Sequence, residues 1–400
     1  MPARGSAPTG YRIRVEPQIA TIARADWEAC ANPQSISKEI SYNPFISYDF
    51  LHALEESGSA CGTTGWQPQH LLLEDEDGRL AGVCPAYLKA HSRGEYVFDE
   101  GWADAYQRAG GRYYPKLQVS VPFTPATGPR LLVPPGPQAP AARAALAQGL
   151  VALAGLRGAS SCHATFLTEV DAQALHTEGF LARTDQQFHW HNEGYAGYDD
   201  FLARLSSRKR KALRRERREA LANGIEIDWL TGADITEAAW DAFFAFYMET
   251  GSRKWGRPYL TRAFYSLIGA RMAESILLVM ARREGRWIAG AINFIGSDAL
   301  YGRHWGALEH HPFLHFEVCY HQAIDFAIAR GLKTVEAGAQ GEHKLARGYM
   351  PVTTRSAHWI ADPGLRRAVA DYLVRERAYV AEAGAELSAL GPFRHVTDEP

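Results

Sequence analysis

The amino-acid sequence predicts a mixed α/β protein that is built from two halves of similar element order. The chain has 400 residues, which exceeds the usual size of one domain. It is 46% hydrophobic at a formal net charge of −2, so it can form a large core and is not a disordered chain. Strand-sized apolar runs alternate with helical patterns along its length. Together these observations favour two folded α/β domains.

The first predicted domain covers residues 1–190. Ser47 is a plausible N-cap of a helix, and the acidic, glycine-containing stretch 75–78 predicts a turn between two strands. The predicted strands are 11–16, 70–74, 80–89, 117–121, 164–170 and 188–191, and the predicted helices are 19–31, 47–60, 139–156 and 171–178.

The second predicted domain covers residues 191–400 and repeats this order. The predicted strands are 225–230, 275–282, 287–295, 299–305, 334–337 and 353–360, and the predicted helices are 236–247, 262–272, 314–330 and 363–390. The two halves share negligible sequence identity, so the prediction of a repeat depends on element order alone.

Composition excludes several classes of protein. Near-neutral charge (43 Lys and Arg, 45 Asp and Glu) argues against a protein that coats DNA. The five cysteines are scattered without C-x-x-C spacing, so neither a disulfide framework nor a cysteine zinc site is predicted. No targeting segment or membrane-spanning window is predicted either. We expect a cytoplasmic protein, at most peripheral to the inner membrane.

A strongly basic segment at 206–218 (SSRKRKALRRERR) carries eight basic residues and predicts a helix. One interpretation is a solvated helix near a linker. The other is a surface for anions, namely the phosphates of CoA, of tRNA or of an acidic lipid. On the second interpretation, Arg214 and Arg215 are predicted to contact the cosubstrate.

The densest group of reactive side chains lies at 336–349 (EAGAQGEHKLARGY), directly after a predicted strand. Amide-forming acyl transfer needs a base for the attacking amine and a proton donor for the leaving group. The predicted catalytic residues here are His343 or Glu336 as the base and Tyr349 as the acid. The predicted cosubstrate contacts in this segment are Gln340, Gly341, Lys344 and Arg347.

Further candidates lie elsewhere in the chain. Glu317 precedes His321 by one helical turn and is a predicted catalytic residue, with a surface pair as the alternative. The loop 122–130 is either an anion pocket or a proline-stiffened loop. The predicted substrate contacts are His91, Glu95, Tyr114, Lys116, Thr124, Arg130, Arg303 and His304. No metal site is predicted, because no histidine pair has a third ligand at suitable spacing.

Five segments together resemble a bacterial FemAB-like family of predicted N-acyltransferases, also described as peptidoglycan biosynthesis/recognition proteins. They are NPFISYDFLHALEESG (43–58), TGWQPQHL (64–71), YLKAHSRGEYVFDEGWADAYQRAGGRYYPKLQ (87–118), VPFTPATGPRLL (121–132) and EAGAQGEHKLARGYMPV (336–352). The resemblance implies two tandem GNAT-like N-acyltransferase domains, each with a mixed sheet that opens between its fourth and fifth strands. The predicted element order fits that fold. The loops 122–130 and 306–313 lack the Q/R-x-x-G-x-G/A pattern of simple GNAT acetyltransferases.

We therefore expect an enzyme that transfers an acyl group from acyl-CoA or acyl carrier protein to a primary amine of a cell-envelope or lipid substrate. We expect no tightly bound cofactor and no covalent intermediate. The alternatives are FemX-like transfer from aminoacyl-tRNA to a peptidoglycan precursor, and a recognition module without catalysis. The chain lacks the long charged helical hairpin that faces tRNA in FemA, which weakens the tRNA alternative. The expected partners are thus a small-molecule, lipid or cell-wall amine, with tRNA and a membrane surface as further candidates.

Overall fold

The computed structural model describes residues 10–33, 41–255, 258–338 and 341–394. The chain forms two compact units. Unit 1 comprises Met1–Asp185 and Thr354–Val380, and unit 2 comprises Gln186–Thr353 and Ala381–Pro400. Each unit thus takes a segment from the other half of the sequence. The predicted division into folding domains at 190/191 stays a prediction.

Most elements of the first half lie close to their predicted positions, but the first α-helix begins five residues later than predicted and the helix Glu100–Arg108 was not predicted. The strand predicted at 164–170 lies at Ser161–Thr165, and the strand predicted at 188–191 begins at Leu181. The elements are β1 (Arg12–Glu16), α1 (Arg24–Ala31), α2 (Tyr48–Glu56), β2 (Trp66–Pro68), β3 (His70–Glu74), β4 (Leu80–Cys84), β5 (Ala86–Lys89), α3 (Glu100–Arg108), β6 (Lys116–Val119), α4 (Ala139–Leu156), β7 (Ser161–Thr165), α5 (Glu169–Thr177) and β8 (Leu181–His191). Ser47 caps α2, since its Oγ accepts from the Phe50 backbone N–H at 3.3 Å. The predicted strand 80–89 is two strands separated by Pro85, which has no N–H to donate to a ladder.

The second half continues with helices and a long meander. Its elements are α6 (Tyr198–Arg204), α7 (Ser207–Ala220), β9 (Ile225–Thr231), α8 (Glu237–Trp255), α9 (Arg262–Met272), β10 (Ile276–Arg283), β11 (Arg286–Ile295), β12 (Ala299–Ala307), α10 (Leu314–Phe316), a π-helical turn (Glu317–His321), α11 (Gln322–Ala329), β13 (Thr334–Glu336), a 3-10 helix (Glu342–Arg347), β14 (Met350–Ile360) and α12 (Pro363–Ala389). The predicted helix 314–330 is therefore interrupted by a π turn.

The sheets repeat one pairing pattern in both units. In unit 1, β5 and β6 pair antiparallel, β6 and β7 pair parallel, and β7 pairs antiparallel with the part of β14 from residue 356 to 360. In unit 2, β11 and β12 pair antiparallel, β12 and β13 pair parallel, and β13 pairs antiparallel with β8. The parallel pairs are the places where a helix must connect two strands, α4 in unit 1 and α10–α11 in unit 2. The predicted mixed α/β class and the repeat of element order are confirmed.

Each unit has its own core. In unit 1, α4 packs its apolar residues against the sheet, with Leu146 and Leu150 fully buried. Among the described residues α4 is the one helix long and apolar enough to cross a membrane, but 44% of it is buried within the protein. In unit 2, the core forms between the sheet and the helices α6, α7 and α11.

Candidate functional site

The sheet of unit 2 opens where β12 and β13 separate. The two strands pair over only three residues each, Ala299–Tyr301 with Thr334–Glu336, and β12 then continues to Ala307 after β13 has ended. The separation of β12 from β13 is explained by how β12 pairs with β11 on its other edge. Its register with β11 slips by one residue, because Ile292 faces His304 while Asn293 faces Gly302. Arg303 is the extra residue of this β-bulge, and a bulge bends and twists its strand.

The bend leaves a cavity of about 90 Å³ beside the outer half of β12. The cavity is below the usual size of a small-molecule site, so it suits a small chemical group rather than a whole ligand. Its walls come from β11, β12, the helix α10–α11 and the residue after β13. The lining residues are Ala291, Asn293, Gly302, Arg303, His304, Trp305, His315, Cys319, Tyr320 and Ala337. Cys319 and Tyr320 lie in the π-helical turn, a feature that often occurs at functional sites.

Two ionisable groups that line this cavity, His304 and Tyr320, have pKa values shifted towards their neutral forms. Burial, and then the charge of Arg303, lowers the pKa of His304 to about 3, so this imidazole is neutral at physiological pH. Burial raises the pKa of the Tyr320 phenol above its ordinary value, so the phenol keeps its proton. The Tyr320 hydroxyl lies 2.9 Å from Nε2 of His343, whose side chain is exposed. The protonated phenol of Tyr320 therefore lines the cavity and contacts the exposed imidazole of His343.

Four of the sequence-predicted residues are near this cavity. Arg303 and His304 line it. His343 contacts Tyr320, as described above. Glu336 is the last residue of β13, directly before Ala337, and its carboxylate lies 3.9 Å from His189. The structure thus places these four near one opening, although their catalytic and binding roles stay predictions.

The equivalent position in unit 1 is filled by the chain itself. β6 and β7 pair in parallel, and the loop that follows β6 then returns to the end of β7, where Gly128 donates to the Phe166 carbonyl at 3.0 Å. Thr124 and Arg130 belong to this loop and are buried. The Thr124 hydroxyl donates to Pro122 O at 3.0 Å, and the Arg130 guanidinium donates to Ala126 O at 2.8 Å. These side chains stabilise a closed loop, so of the two equivalent positions it is unit 2 that has the opening.

Other predicted residues of unit 2 form a buried ionic network beneath the 3-10 helix. The Arg347 guanidinium donates to both carboxylate oxygens of Glu216, at 2.8 and 2.6 Å, and its Cζ lies 3.5 Å from the Phe316 ring centroid. His321 Nε2 lies 2.8 Å from the same carboxylate. Burial acts to raise the pKa of Glu216, but the hydrogen bonds from His321 and Arg347 outweigh it and the pKa is lowered. Arg347 thus holds the 3-10 helix against α7.

Glu317 lies in a second ion pair of the same region. Its side chain is fully buried, and Arg217 donates to it at 2.8 Å and to Asp325 at 2.7 Å. The Gln322 amide donates to Glu317 at 2.7 Å. Glu317 therefore anchors the π-helical turn to α7 and faces away from solvent.

The remaining predicted residues of the segment 336–349 are buried or precede the helix. Tyr349 is fully buried and its hydroxyl donates to Tyr320 O at 3.2 Å. Lys344 is buried and donates to Gly338 O at 2.9 Å, and burial lowers its pKa to about 8. Gly341, with φ of 121°, starts the 3-10 helix. Gln340 lies outside the described residues.

The basic helix is α7, and its basic residues differ in whether they pair with a carboxylate. Leu213, Glu216 and Ala220 are buried on one face. Arg214 pairs with Asp199 at 2.8 Å, and Arg215 pairs with Glu219 at 2.5 Å. The other basic residues outside the buried network make no ion pair with any part of the chain that the structure describes; they are Arg208, Lys209, Arg210, Lys211 and Arg218. The cations without a carboxylate thus concentrate at the N-terminal end of α7, where the helix dipole opposes them.

Unit 1 brings three predicted substrate contacts into one buried cluster. The Lys116 ammonium donates to Ser92 at 2.7 Å, to Glu95 at 2.7 Å and to Asp99 at 2.5 Å. The Tyr114 hydroxyl lies 2.8 Å from Ser92. Burial acts to lower the pKa of Lys116, but the two carboxylates outweigh it and the pKa is raised. Burial raises the pKa of Glu95 to about 7.

His91 lies apart from this cluster, with Nε2 3.1 Å from Thr64 O. A chain of hydrogen bonds instead leads from the cluster into the core. Tyr113 donates to Asp99 at 2.6 Å and lies 3.3 Å from His163, whose Nδ1 is 2.7 Å from Nδ1 of His358. Burial lowers the pKa of His163 to about 3, so the pair stays neutral.

Sequence reasoning missed this histidine pair and the bulge. The pair joins β7 to β14 across 195 positions of sequence. A signal was present, because Ser161-Cys162-His163 and Ser356-Ala357-His358 are the same Ser-x-His pattern on two strands. In each strand the serine hydroxyl contacts its own histidine, at 2.7 and 2.9 Å. Within the described ranges no group of three or more His, Cys, Asp and Glu side chains is arranged to hold a metal ion.

Comparisons with known proteins give the fold and the family. FemX is similar at 12% identity over 87% of this chain and 98% of its own, with a TM-score of 0.53. A conserved protein of unknown function from Bacteroides thetaiotaomicron VPI-5482 is similar at 13% identity over 88% and 100%, with a TM-score of 0.52. A tandem GNAT protein from the clavulanic acid biosynthesis pathway is similar at 11% identity over 88% and 98%, with a TM-score of 0.45. A search of curated protein sequences gave no match.

The likeness to FemX shows the fold, so the predicted FemABX-like fold of two tandem GNAT-like halves is confirmed. The FemAB-like family, described as peptidoglycan biosynthesis/recognition, matches residues 18–395. That range contains all five segments that carry the resemblance and every candidate site residue. The chain therefore belongs to the FemAB-like family.

Proposed function

We propose that this protein is an N-acyltransferase that holds an acyl thioester in the opening of unit 2 and transfers the acyl group to a primary amine. The donor is acyl-CoA or acyl carrier protein, and the acceptor is an amine of a cell-envelope or lipid substrate. The family, which concerns peptidoglycan, supports an envelope substrate. The protein needs no tightly bound cofactor for this reaction. Because its donors are cytoplasmic, we place it in the cytoplasm or at the inner face of the membrane.

One observation carries the proposal, namely that the bulge at Arg303 opens the sheet. A strand whose edge is no longer paired offers backbone N–H and C=O groups, and an extended ligand can bind such an edge as an added strand. An acyl thioester of pantetheine contains amides that suit this mode of binding. The cavity beside Gly302–Trp305 then receives the acyl group.

The reaction forms a C–N bond between the amine and the acyl carbon and breaks the C–S bond of the thioester. The attacking ammonium must lose two protons, one before and one after its nitrogen bonds to the acyl carbon. The departing thiolate must gain one proton, so the other is released to solvent. Backbone N–H groups of the open edge of β12 are candidates to stabilise the developing oxyanion. His304 is neutral, so it places no charge beside the acyl group.

In this reaction His343 and Tyr320 carry out the proton transfers. His343 is exposed and accepts the proton of the amine, as predicted from the sequence. Tyr320 keeps its proton and lines the cavity, so it can protonate the thiolate, and its hydrogen bond to His343 lets the phenol regain a proton. This assignment moves the acid role from Tyr349, whose hydroxyl is fully buried, to the neighbouring Tyr320.

The test is an acyl-transfer assay with acetyl-CoA and longer acyl-CoAs against a panel of primary amines, with release of free thiol as the readout. We expect His343→Gln and Tyr320→Phe to lower kcat by about 10²-fold or more. Tyr11→Phe, directly before β1 in unit 1, is a control that also removes a tyrosine hydroxyl. No turnover with any thioester, or unchanged kcat in both variants, would contradict the proposal.

The N-terminal end of α7 favours a second candidate, transfer from aminoacyl-tRNA. Four consecutive basic residues there, 208–211, have no acidic partner among the described residues. Such a cluster would bind a polyanion with a steep salt dependence. Arg208→Glu with Lys211→Glu should weaken tRNA binding and flatten its salt dependence, whereas the paired Arg214→Glu should have less effect. Salt-sensitive tRNA binding without binding of any acyl-CoA would favour this second candidate over the first.

A further inference from the structure

A groove of about 360 Å³ lies between α3 and α12 within unit 1, apart from every residue used above for acyl transfer. α3 contributes Gly101, Trp102 and Ala105, and α12 contributes Leu365, Ala368, Val369 and Tyr372 at helical spacing. Phe98 and Arg183 complete the walls. The volume lies at the lower end of the range for small-molecule sites.

Small residues keep the groove empty. Gly101, Ala105 and Ala368 face it, and each is exposed to it. A Cβ added to Gly101 would meet no atom within 4 Å, so no packing constraint requires glycine there. Gly101 is the second residue of α3 and lies in its first turn. The missing side chains leave the space open, although Trp102, Leu365 and Val369 beside it are well packed.

The groove offers no unbalanced charge. Its one charged lining residue, Arg183, donates to both oxygens of Glu376 at 2.8 and 2.7 Å and to Phe98 O at 2.8 Å. The Tyr372 hydroxyl donates to the same Glu376 carboxylate at 3.0 Å. The Arg183 guanidinium also lies 5.0 Å from the Trp102 ring centroid. Because the ion pair is satisfied within the protein, the ligand part that enters the groove has to be uncharged and apolar.

The shape of the groove and the aromatic side chains at its rim indicate that its ligand is a hydrocarbon chain. From Leu365 to Tyr372 the groove follows α12 over eight residues, a rise of about 10 Å at 1.5 Å per residue. Phe98 and Tyr372 are 55% and 42% exposed at its edge, and Tyr379, one heptad further along α12, is 71% exposed. Exposed aromatic side chains of this kind are typical of surfaces that meet lipid at the water interface.

We infer that this groove binds the hydrocarbon chain of an amphiphilic lipid, and that this lipid carries the amine that is acylated. The first part stands on the groove alone, and the second part rests on the proposed function. The walls of the groove bury the hydrocarbon chain, and the exposed aromatic side chains at its rim contact the remainder of the lipid at the protein surface. The inference narrows the acceptor class to amines that bear a long apolar chain.

The test uses dodecanol and dodecylamine as probes, both below the concentration at which they aggregate, and isothermal titration of the full chain. We expect both probes to bind with similar affinity, because the groove contacts their hydrocarbon chain and not their head group. Ala105→Trp and Ala368→Trp fill the groove at exposed positions and should weaken binding of both probes by at least about tenfold. Ala378→Trp, at an exposed position of α12 outside the groove, is the matched control and should bind as the wild type does.

Absence of dodecanol binding, or equal binding by the filled variants, would overturn the groove assignment. Acyl transfer to dodecylamine that is lost in Ala368→Trp but kept in Ala378→Trp would support the acceptor assignment. Preference for short amines over dodecylamine in the wild type would overturn it. Failure of the proposed function would look different, because the chain would still bind dodecanol but would acylate no amine at all.

Discussion

The buried lysine of unit 1 gives the sharpest prediction about stability. Lys116 is fully buried, and its three N–H groups are used by Ser92, Glu95 and Asp99. Lys116→Met keeps the length of the side chain and removes the charge, which leaves two carboxylates buried without their shared cation. Breaking a buried ion pair in this way costs about 3–5 kcal/mol. We expect a loss of that size in the free energy of unfolding at neutral pH, measured by urea denaturation.

The pH dependence of this loss has a definite sign. Without the ammonium, burial holds the pKa of Glu95 and Asp99 above their unfolded values, so the folded variant binds more protons than the unfolded chain. Its stability is then greatest below the unfolded pKa and falls as pH rises through the folded pKa. The deficit of Lys116→Met should therefore shrink between about pH 7 and about pH 5.

Two further variants separate charge from packing. Lys116→Met combined with Asp99→Asn removes the ammonium together with its nearest carboxylate and keeps Glu95 3.9 Å from the buried Lys89, and we expect it to recover at least about 1 kcal/mol relative to Lys116→Met. Arg214→Met removes one partner of an exposed pair and should cost less than about 1 kcal/mol. A loss below about 1 kcal/mol in Lys116→Met, or a deficit that grows as pH falls, would refute the reasoning.

Three other predictions concern unit 2. Glu216→Gln leaves Arg347 buried without its carboxylate and should lower the free energy of unfolding by about 3 kcal/mol, whereas Glu219→Gln on the exposed side of α7 should change it by less than about 1 kcal/mol. Equal effects of the two changes in urea denaturation would contradict the buried network. Burial holds the pKa of Lys344 at about 8, so the folded chain binds fewer protons than the unfolded chain above that pH. The stability of the wild type relative to Lys344→Met should therefore rise between about pH 8 and about pH 10 in thermal denaturation, and a fall would exclude the lowered pKa. Ala337→Leu fills the cavity and should raise the KM for the acyl donor by about tenfold or more without loss of stability, and an unchanged KM would remove the cavity from the site.

Element order could be predicted from the sequence, because hydrophobic periodicity and caps act locally. Ser47 caps its helix and the strand at 70–74 lies where its short apolar run predicts. Pro85 was the local signal for the break in the strand 80–89, and that prediction overlooked it. The π-helical turn at Glu317–His321 was not predicted, and it contains Glu317, whose partner Arg217 lies one hundred positions earlier and cannot be inferred from a local pattern.

The site was predicted only in part for the same reason. Arg303 and His304 were identified by residue type, but the opening beside them comes from a register slip between two strands, which no local pattern shows. Arg347 was predicted to contact the cosubstrate, and the structure places its guanidinium on the Glu216 carboxylate. A charged residue in a dense polar segment can thus stabilise the fold. Its tertiary partners determine whether its charged group is available to bind a ligand.

The bulge at Arg303 is the feature on which the proposed function depends most. Deletion of Arg303 makes the register of β11 and β12 continuous, so β12 loses its bend and the opening narrows. Arg303→Ala keeps the extra residue and removes the charge. The two variants therefore separate the shape of the strand from the guanidinium.

The most direct measurement is amide hydrogen exchange of β12 with and without an acyl-CoA whose thioester is replaced by a stable thioether. We predict that the ligand slows exchange at residues 302–307 in the wild type and in Arg303→Ala, but not after deletion of Arg303, and that β6 of unit 1 is unaffected in all three. Unchanged exchange at residues 302–307 in the wild type, or protection that survives the deletion, would contradict donor binding at the opened edge of β12.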